Sequence, residues 1–319
     1  LLWTAYCRER SLPLLECGKL VVCRGPEDLS TLDLLLDRGK NNGVPLERLS
    51  AAEARSIEPR VRTFEAALYS PSTATVDPLA VLSSLIEDSR RAGIEFMFGM
   101  RFHSLEQDGY SFIKDRQKIT INAPRFLNTA GLYADRIAHA FGYGLRYTIL
   151  PFKGIYLYAD PGPALACHIY PVPDLGQPFL GVHHTLTVDG RIKIGPTAIP
   201  AFWREQYDWR NPRFGELAAI AWLQARLFLR SGFDFRRLAL TELRKYRRDV
   251  LAALAAELLE GEVSYSRWGR PGIRAQLLDK KQNRLEMDFV MEGDERSFHV
   301  LNAVSVSYTH LTLPTNREV

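Results

Sequence analysis

The sequence predicts a mixed α/β (α+β) protein with two domains. The chain has 319 residues, which is long for one hydrophobic core and sufficient for two. Between residues 118 and 144, a strand leads through Ala130 and Gly131 directly into a helix, as in nucleotide-binding α/β sheets. After residue 145, short β-branched or aromatic segments alternate with proline and glycine, which is typical of an antiparallel sheet.

In the first part of the chain, apolar periodicity and capping residues define the predicted elements. Strands are predicted over 14–23, 66–69, 94–98, 119–123 and 125–129. Helices are predicted over 27–42, 50–59, 77–93 and 132–141. Two helix starts carry specific signals, because Ser50 and Glu53 form a capping box and Asp77 precedes Pro78 as an N-cap.

In the second part, strands dominate and no sequence repeat is present. Strands are predicted over 146–158, 168–172, 179–188, 191–196, 274–278, 284–291 and 298–302. Two helices are predicted, over 213–229 and 241–260. The G-x-G-x-x-G, P-loop, H-E-x-x-H and G-x-S-x-G motifs do not occur in these 319 residues.

The composition excludes several classes of protein. Hydrophobic residues make up 46% of the chain and charged residues 24%, which excludes disordered, collagen-like and disulfide-scaffold chains. The net charge of +4 is too small to indicate a nucleic-acid partner. With a mean hydropathy of −0.15 and no apolar run of 18 residues, no membrane-spanning helix is predicted.

The four cysteines predict reduced thiols. Cys7, Cys17, Cys23 and Cys167 form no C-x-x-C pair, so no zinc site is predicted. Four cysteines in so long a chain are typical of core thiols in a reducing, cytoplasmic compartment.

Both ends of the sequence are unusual. The stretch from Leu1 to Tyr6 resembles the middle of an amphipathic helix, without a cap. Residues 306–319 continue no periodicity and resemble read-through of vector or adapter sequence. We therefore expect a fragment that is open at both ends, with a non-native tail over 306–319.

Nine stretches in sequence order resemble the FAD-dependent L-2-hydroxyglutarate dehydrogenases and oxidases, in the D-amino-acid-oxidase-like flavoprotein superfamily. They are CGKLVV (17–22), SPSTATVDP (70–78), LNTAGLYADRIA (127–138), ILPFKGIYLY (149–158), IYPVPD (169–174), PFLGVHHT (178–185), GPTAIPAFWRE (195–205), RPGIRAQLLD (270–279) and HVLNAVS (299–305). Together they extend over most of residues 6–305, and as a set they are specific.

The resemblance implies oxidation of L-2-hydroxyglutarate to 2-oxoglutarate, with hydride transfer to flavin N5. The fold it implies is a discontinuous FAD-binding Rossmann-like domain, whose first βαβ unit would precede Leu1, and an antiparallel-sheet substrate domain. The implied divisions are a remnant helix (1–14), the substrate domain (15–76 and 145–285), the FAD domain (77–144 and 286–305) and the tail (306–319). The alternatives are a related flavoprotein that oxidises an amine, an amino acid or glycerol 3-phosphate, and a non-catalytic truncated polypeptide.

The implied partners are a small dicarboxylate and an electron acceptor, either oxygen or a membrane quinone. The basic run over 236–248 is interpreted in two ways. It is either a solvated helix face or a peripheral contact with anionic lipid at the inner face of a membrane.

Three residues are predicted to bind the cofactor. A glycine between a strand and a helix allows the backbone to approach a dinucleotide closely, which favours Ala130 and Gly131. The resemblance adds Asn302, in the last matching stretch. The structural alternative is an ordinary strand-to-helix turn.

Four residues are predicted to act on the substrate or the flavin. Arg274, in a G-x-R motif, is expected to bind a substrate carboxylate through its guanidinium fork. His183 is expected to be the general base, and His184 would face the other side of the strand. Lys153 is expected to place a positive charge beside the flavin, and Tyr170 to line the pocket. For each of them, ordinary packing or solvation is the alternative.

Overall fold

A computed structural model describes residues 2–175, 181–230 and 235–303 and has a mixed α/β architecture with several sheets, as predicted. The strands are β1 (Leu14–Leu15), β2 (Lys19–Val22), β3 (Glu47–Ser50), β4 (Ala66–Ser70), β5 (Thr75–Val76), β6 (Arg101–Glu106), β7 (Gly109–Lys114), β8 (Gln117–Ile121), β9 (Phe126–Asn128), β10 (Tyr147–Gly154), β11 (Leu157–Ala159), β12 (His168–Pro171), β13 (His183–Leu186), β14 (Ile192–Gly195), β15 (Ile199–Pro200), β16 (Tyr265–Trp268), β17 (Gly272–Asp279), β18 (Arg284–Leu285), β19 (Val290–Gly293) and β20 (Ser297–Asn302). The helices are α1 (Leu2–Glu9), α2 (Leu29–Asn41), α3 (Ala51–Ile57), α4 (Pro78–Arg91), α5 (Ala134–Ala140), α6 (Phe214–Arg230), α7 (Phe235–Arg244) and α8 (Arg248–Ala256), with 3-10 turns at Pro26–Asp28 and Gly131–Tyr133.

The largest sheet has eight strands in the order β16-β11-β14-β13-β12-β2-β4-β3. It is antiparallel apart from the pair β2 and β12. A four-stranded sheet has the order β15-β10-β17-β18, and β6, β7 and β8 form a separate antiparallel sheet. In the three-stranded sheet β19-β20-β9, strands β20 and β9 run parallel. This sheet therefore joins residues 126–128 to residues 290–302. A domain built from two separate parts of the chain requires such a pairing. The limits of the predicted FAD-binding domain stay predictions.

The two faces of the eight-stranded sheet differ in chemistry. One face is apolar, and Leu20, Ile169 and Ile192 belong to its buried cluster. On the opposite face, α2 packs Leu32 and Leu35 against the end formed by β2 and β4. Farther along that second face, strands β12, β13 and β14 carry polar side chains. We call this region the polar face.

A buried ion pair joins the elements around the strand-to-helix turn. Asp135 on α5 is 1% exposed and accepts two hydrogen bonds of 2.7 Å from Arg204. It also accepts from the backbone N–H of Ile149 on β10, at 2.8 Å. Arg204 in turn binds the Leu132 carbonyl, and its own backbone N–H donates to Glu216 on α6. Burial raises the pKa of Asp135, but the Arg204 and backbone bonds outweigh it, so the net pKa is lowered.

The predicted helix caps are confirmed. The Ser50 hydroxyl accepts from the Glu53 N–H, and the Glu53 carboxylate accepts from the Ser50 N–H, so both halves of the capping box are present. Asp77 accepts from the N–H groups of Leu79 and Ala80 at the start of α4. These interactions span only two or three residues, which is why sequence alone predicts them.

Several predicted elements are wrong in detail, and the strands predicted over 146–158 and 284–291 are each two strands. Residues 94–98 form no strand, and the apolar run is instead an exposed loop in which Phe96 stacks on Phe98. The strand predicted over 14–23 is interrupted, because Gly18 adopts a φ of +71°. The helix predicted over 241–260 is two helices, α7 and α8, with a break after residue 244.

The break between α7 and α8 has a tertiary cause. Lys245 pairs with the Glu242 carboxylate, which also accepts from the Ala198 N–H at 2.6 Å. These contacts anchor the end of α7 beside β15, and helical periodicity does not report them. The strand predicted over 179–188 is observed over 183–186. Residues 176–180 and the predicted tail over 306–319 lie outside the described residues.

All four cysteines are free, as predicted. The described residues contain no group of three His, Cys, Asp or Glu side chains that could hold a metal ion. Within the same part of the chain, every helix is too short or too polar to cross a bilayer.

We expect Arg204→Ala to lower the free energy of unfolding by about 3–5 kcal/mol, because it leaves the Asp135 carboxylate buried without its cation. Since the pKa of Asp135 is lowered in the folded protein, the contribution is present above the pKa of an unfolded aspartate, about 3.9. It is lost as the pH falls through the folded-state pKa. Denaturant titration at neutral pH measures the loss.

The matched control is Arg91→Ala. Arg91 pairs with Glu87 at 3.2 Å, but both side chains are exposed, so we expect a loss below about 0.5 kcal/mol. Similar small losses in the two variants would contradict a structural role for the Asp135 pair.

Candidate functional site

Four polar residues form a row across the polar face. Lys19 on β2 pairs with His168 on β12, and Thr185 on β13 pairs with Lys193 on β14. The register between β12 and β13 aligns these two pairs, so all four side chains start on the same side of the sheet. The row therefore has a lysine at each end.

A second row lies one step along the same strands. Tyr170 and His183 stack with ring centroids 3.8 Å apart and an interplanar angle of 17°. On the next strand, His183 pairs with Gly195, which contributes no side chain to the row. A Cβ at Gly195 would lie 3.2 Å from the Tyr156 ring, so Tyr156 lies beside it. His183 is thus flanked by Tyr170 on one side and by Tyr156 on the other.

The hydrogen bond of His183 determines its tautomer. Its Nδ1 lies 2.8 Å from the Gly181 carbonyl oxygen, which can only accept, so Nδ1 carries the proton. Nε2 is then the acceptor nitrogen, and no described residue donates to it. The pKa of His183 is lowered to about 3, mainly by burial and also by the charges of Arg274 and Lys19, while the bond to the Gly181 carbonyl opposes this effect. At neutral pH the ring is therefore neutral, with a lone pair on Nε2.

His184 lies on the other face of the strand. Its Nε2 shares a 2.7 Å hydrogen bond with the Tyr265 hydroxyl, and the side chain is fully buried. Burial lowers its pKa to about 4. His184 therefore has the environment of a core histidine, whereas the adjacent His183 belongs to the polar face.

Lys19 is a buried cation without an anionic partner among the described residues. Its side chain is 6% exposed, and its Nζ lies 5.2 Å from the centroid of the Tyr170 ring. Burial lowers the pKa of Lys19 to about 8. Lys193 is similar, since its Nζ lies 5.0 Å from the Tyr156 ring and burial lowers its pKa. Because ammonium groups are costly to bury, the buried Lys19 and the partly buried Lys193 indicate an anion-binding site.

His168 separates the two lysines and is kept neutral. Its Nδ1 accepts from the Leu186 N–H at 3.0 Å, so Nε2 carries the proton and donates to the Thr75 hydroxyl at 2.9 Å. Burial, followed by the charges of Lys19 and Lys193, lowers its pKa to about 4. His168 is thus held through both ring nitrogens, with Cys17 Sγ also 3.4 Å from Nε2, and it adds no charge to the row.

Arg274 extends toward the polar face from the four-stranded sheet. It lies on β17 opposite Phe152 of β10, and it is exposed. Its charge lowers the pKa of His183 and opposes the burial that raises the pKa of Tyr156. The structure therefore brings Arg274, His183 and Tyr170 together in one region, while their roles stay predictions.

Lys153 lies elsewhere on the four-stranded sheet. It is buried, and its Nζ donates to the Tyr207 carbonyl at 3.0 Å. Burial lowers its pKa, and Asp208 opposes this effect. None of the interactions of the described residues connects Lys153 to His183 or Tyr170, and its role beside a flavin stays a prediction.

The strand-to-helix turn faces open space. Gly131 has a φ of +53°, and a Cβ built on it would meet no atom of the described residues within 4 Å. The Asn128 side chain fixes this turn, since its Oδ1 accepts from the Ala130 N–H and its Nδ2 donates to the Ala134 carbonyl. The turn lies at the carboxyl end of a strand in a parallel pair, where α/β sheets bind ligands.

Asn302 ends β20 at the same edge of the sheet. Its Nδ2 donates to the carbonyls of Glu286 and Asp288, at 3.3 and 2.6 Å. The amide nitrogen therefore holds a loop of the chain itself, and no hydrogen bond joins its Oδ1 to a described residue. Contact of Asn302 with the cofactor stays a prediction.

Sequence reasoning missed Lys19, Lys193 and Tyr156. Each lies inside a stretch whose pattern predicts an apolar strand. A lysine within such a strand is a recognisable signal of a polar site. Whether that lysine is solvated or buried depends on the pairing of β2 with β12. The two strands are about 150 residues apart in sequence, so no local pattern reports their pairing.

Comparison with known proteins identifies relatives over nearly the whole chain. A family model described as "DAO: FAD dependent oxidoreductase" matches residues 1–304. The chain is 33% identical to the mitochondrial L-2-hydroxyglutarate dehydrogenase of Nematostella vectensis, over 95% of this chain and 71% of that protein. It is 31% identical to the L-2-hydroxyglutarate dehydrogenase of Indibacter alkaliphilus, over 95% and 77%.

Solved structures share the fold. Glycine oxidase from Geobacillus kaustophilus aligns with a TM-score of 0.61 at 18% identity, over 93% of this chain and 69% of that chain. The dithionite-reduced L-α-glycerophosphate oxidase of Mycoplasma pneumoniae, with FAD bound, aligns with a TM-score of 0.60 at 18% identity, over 91% and 68%.

We expect Lys19→Met to stabilise the protein at neutral pH. The folded-state pKa of Lys19, about 8, lies below the ordinary value of 10.5, so the charged form carries a penalty that is fully present below pH 8. The penalty disappears as the pH rises to 10.5. The variant should therefore exceed the wild type by up to about 3 kcal/mol near pH 7, and the difference should vanish near pH 10.5.

Denaturant titration at these two pH values measures the effect. Lys40→Met is the control, because Lys40 is exposed at the end of α2, and we expect it to change stability by less than about 0.5 kcal/mol. A gain in Lys19→Met that does not depend on pH would indicate improved packing and not the loss of a buried charge.

Proposed function

The chain belongs to the DAO family of FAD-dependent oxidoreductases, and we propose that its reaction is the oxidation of L-2-hydroxyglutarate to 2-oxoglutarate. The observation that carries this assignment is the group of cations near His183 and His168 on the polar face. Arg274, Lys19 and Lys193 face one region, and the two lysines have no carboxylate partner among the described residues. A dianionic substrate would supply the missing negative charge.

The cofactor of this family is FAD, and the residues at the carboxyl edge of β9 and β20 fit it. The open space at Gly131 and the exposed Ala130 allow a dinucleotide to approach the backbone, and Asn302 has an Oδ1 acceptor at the same edge. We propose that these three residues contribute to its binding. FAD, when bound, supplies the acceptor for the hydride that leaves C2 of the substrate.

We propose that Arg274 binds the carboxylate next to the reacting carbon. A guanidinium fork matches a carboxylate in a bidentate arrangement, and the charge of Arg274 already acts on His183. The substrate carboxylate would then lie within reach of the histidine, with Tyr170 forming an adjacent wall of the pocket.

His183 is proposed as the base that accepts the substrate hydroxyl proton. Its Nδ1–H bond to the Gly181 carbonyl orients the ring and leaves the Nε2 lone pair as the acceptor. A pKa of about 3 suits a weak base, but the cations that contribute to it would be neutralised by a dicarboxylate. Substrate binding would therefore raise the pKa of His183 when proton transfer requires it.

For Lys153 we propose an electrostatic role beside the bound cofactor. The Tyr207 carbonyl fixes its Nζ, and a cation near a flavin stabilises the reduced anionic form. We also propose that the electron acceptor is oxygen or a membrane quinone, which the assay distinguishes by supplying oxygen or a quinone analogue. A peripheral membrane contact of the basic residues 236–248 is a further proposal.

The direct test uses FAD-loaded protein with L-2-hydroxyglutarate, and it measures the release of 2-oxoglutarate through a coupled enzyme. Glycerol 3-phosphate and glycine, offered in parallel, test the alternative flavoprotein activities. Flavin reduction by either of these compounds and none by L-2-hydroxyglutarate would overturn the assignment.

We expect His183→Asn to lower kcat by about 10²- to 10⁴-fold, the usual contribution of a general base. His184→Asn should leave kcat within a few-fold and lower stability, because it loses the buried bond to Tyr265. Steady-state kinetics at matched FAD content measures both variants. Equal mild effects would mean that the base lies elsewhere, and the reverse pattern would assign the base to His184.

We expect Arg274→Lys to lower kcat/KM by about 10- to 150-fold, because the charge remains but the bidentate fork is lost. The FAD content, measured by flavin absorbance, should not change. Wild-type kinetics, or loss of flavin with unchanged substrate affinity, would remove Arg274 from the substrate site.

A further inference from the structure

We propose that Lys19 binds the second carboxylate of the substrate, far from the reacting carbon, and so selects dicarboxylates over monocarboxylates. This inference rests on the proposed function, since it assigns the far end of the same substrate. Lys19 lies outside the residues that sequence reasoning selected, and its position in the polar face supports the assignment.

Lys19 and Arg274 approach His183 from different sheets, Lys19 from the eight-stranded sheet and Arg274 from the four-stranded one. Lys19 Nζ lies above the ring of Tyr170, which stacks on His183 from the β12 side. The charge of Arg274 acts on His183 and on Tyr156, and Tyr156 lies on the β14 side. A substrate with its hydroxyl at His183 would therefore extend one carboxylate toward Arg274 and the other toward Lys19.

The chemistry of Lys19 requires a ligand. Lys19 is 6% exposed, and among the described residues its ammonium group makes no ion pair or hydrogen bond with a carboxylate. Its nearest polar neighbour along the row, His168, is neutral and uses both ring nitrogens in other bonds. The Tyr170 ring offers only a cation–π contact, which replaces part of the lost hydration. A carboxylate would supply the charge-assisted bond that this position lacks.

The contrast with Lys153 supports this choice. Lys153 is buried as well, but its Nζ already donates to the Tyr207 carbonyl. Lys19 has no such hydrogen bond to a described residue, and its charge reaches both His183 and His168. Of these two buried lysines, Lys19 is therefore the one positioned to receive an anion.

The test compares two ligands that lack a 2-hydroxyl group and so cannot be oxidised. Glutarate has two carboxylates, and pentanoate has a methyl group in place of one of them. Isothermal titration of FAD-loaded protein measures both dissociation constants. We expect the wild type to prefer glutarate. Lys19→Met should weaken glutarate binding by about 10- to 150-fold and change pentanoate binding by less than about twofold.

Two further variants keep the result interpretable. Lys19→Arg retains the charge and should keep most of the preference for glutarate, and the exposed Lys40→Met should behave as the wild type. Lys19→Met should fold, because it removes a buried charge and keeps an apolar stem of similar length. An unchanged ratio of the two affinities in Lys19→Met, or equal weakening of both ligands, would overturn the inference.

The outcomes separate this inference from the proposed function. If the wild type oxidises L-2-hydroxyglutarate but Lys19→Met keeps the ligand ratio, only the role of Lys19 fails. If Lys19→Met loses the glutarate preference but the wild type does not oxidise L-2-hydroxyglutarate, the second-carboxylate site stands and the proposed reaction fails.

Discussion

The buried pair of Asp135 and Arg204 is the interaction on which the arrangement of the site depends. It connects α5, which follows the open turn at Gly131, to β10, which pairs along its whole length with the strand that carries Arg274. Through the bond between the Arg204 N–H and Glu216, it also reaches α6. The position of the turn at Gly131 relative to the four-stranded sheet is thus set by two charges that water cannot reach.

The polar face shows the opposite use of buried charge. The Asp135 carboxylate is paired with the Arg204 guanidinium, and this pair fixes the elements that carry the two residues. At Lys19 and Lys193 the described residues supply no carboxylate, so folding retains a cost that a ligand can offset. Natural sequences tolerate such a cost where it serves binding.

Sequence predicted the features that depend on neighbours in the chain. The capping box at Ser50 and the N-cap at Asp77 are confirmed, because their partners are two or three residues away. The break after α7 was missed because it depends on a hydrogen bond that the distant Ala198 N–H donates to the Glu242 carboxylate. Lys19 was missed for the same reason, since its burial follows from pairing with His168. His183 and Arg274 were selected through resemblance and residue chemistry, and their proximity is a property of the folded sheets.

The depressed pKa of Lys19 also changes its reactivity. At pH 7, a lysine with a pKa of about 8 is unprotonated in about one molecule in ten, whereas an ordinary lysine is unprotonated in about one in three thousand. The unprotonated amine is a nucleophile, and the charged form is not. Burial in the polar face therefore makes Lys19 intrinsically more reactive toward small electrophiles than the exposed lysines of the chain. A reagent small enough to reach it would acylate this amine before the exposed lysines.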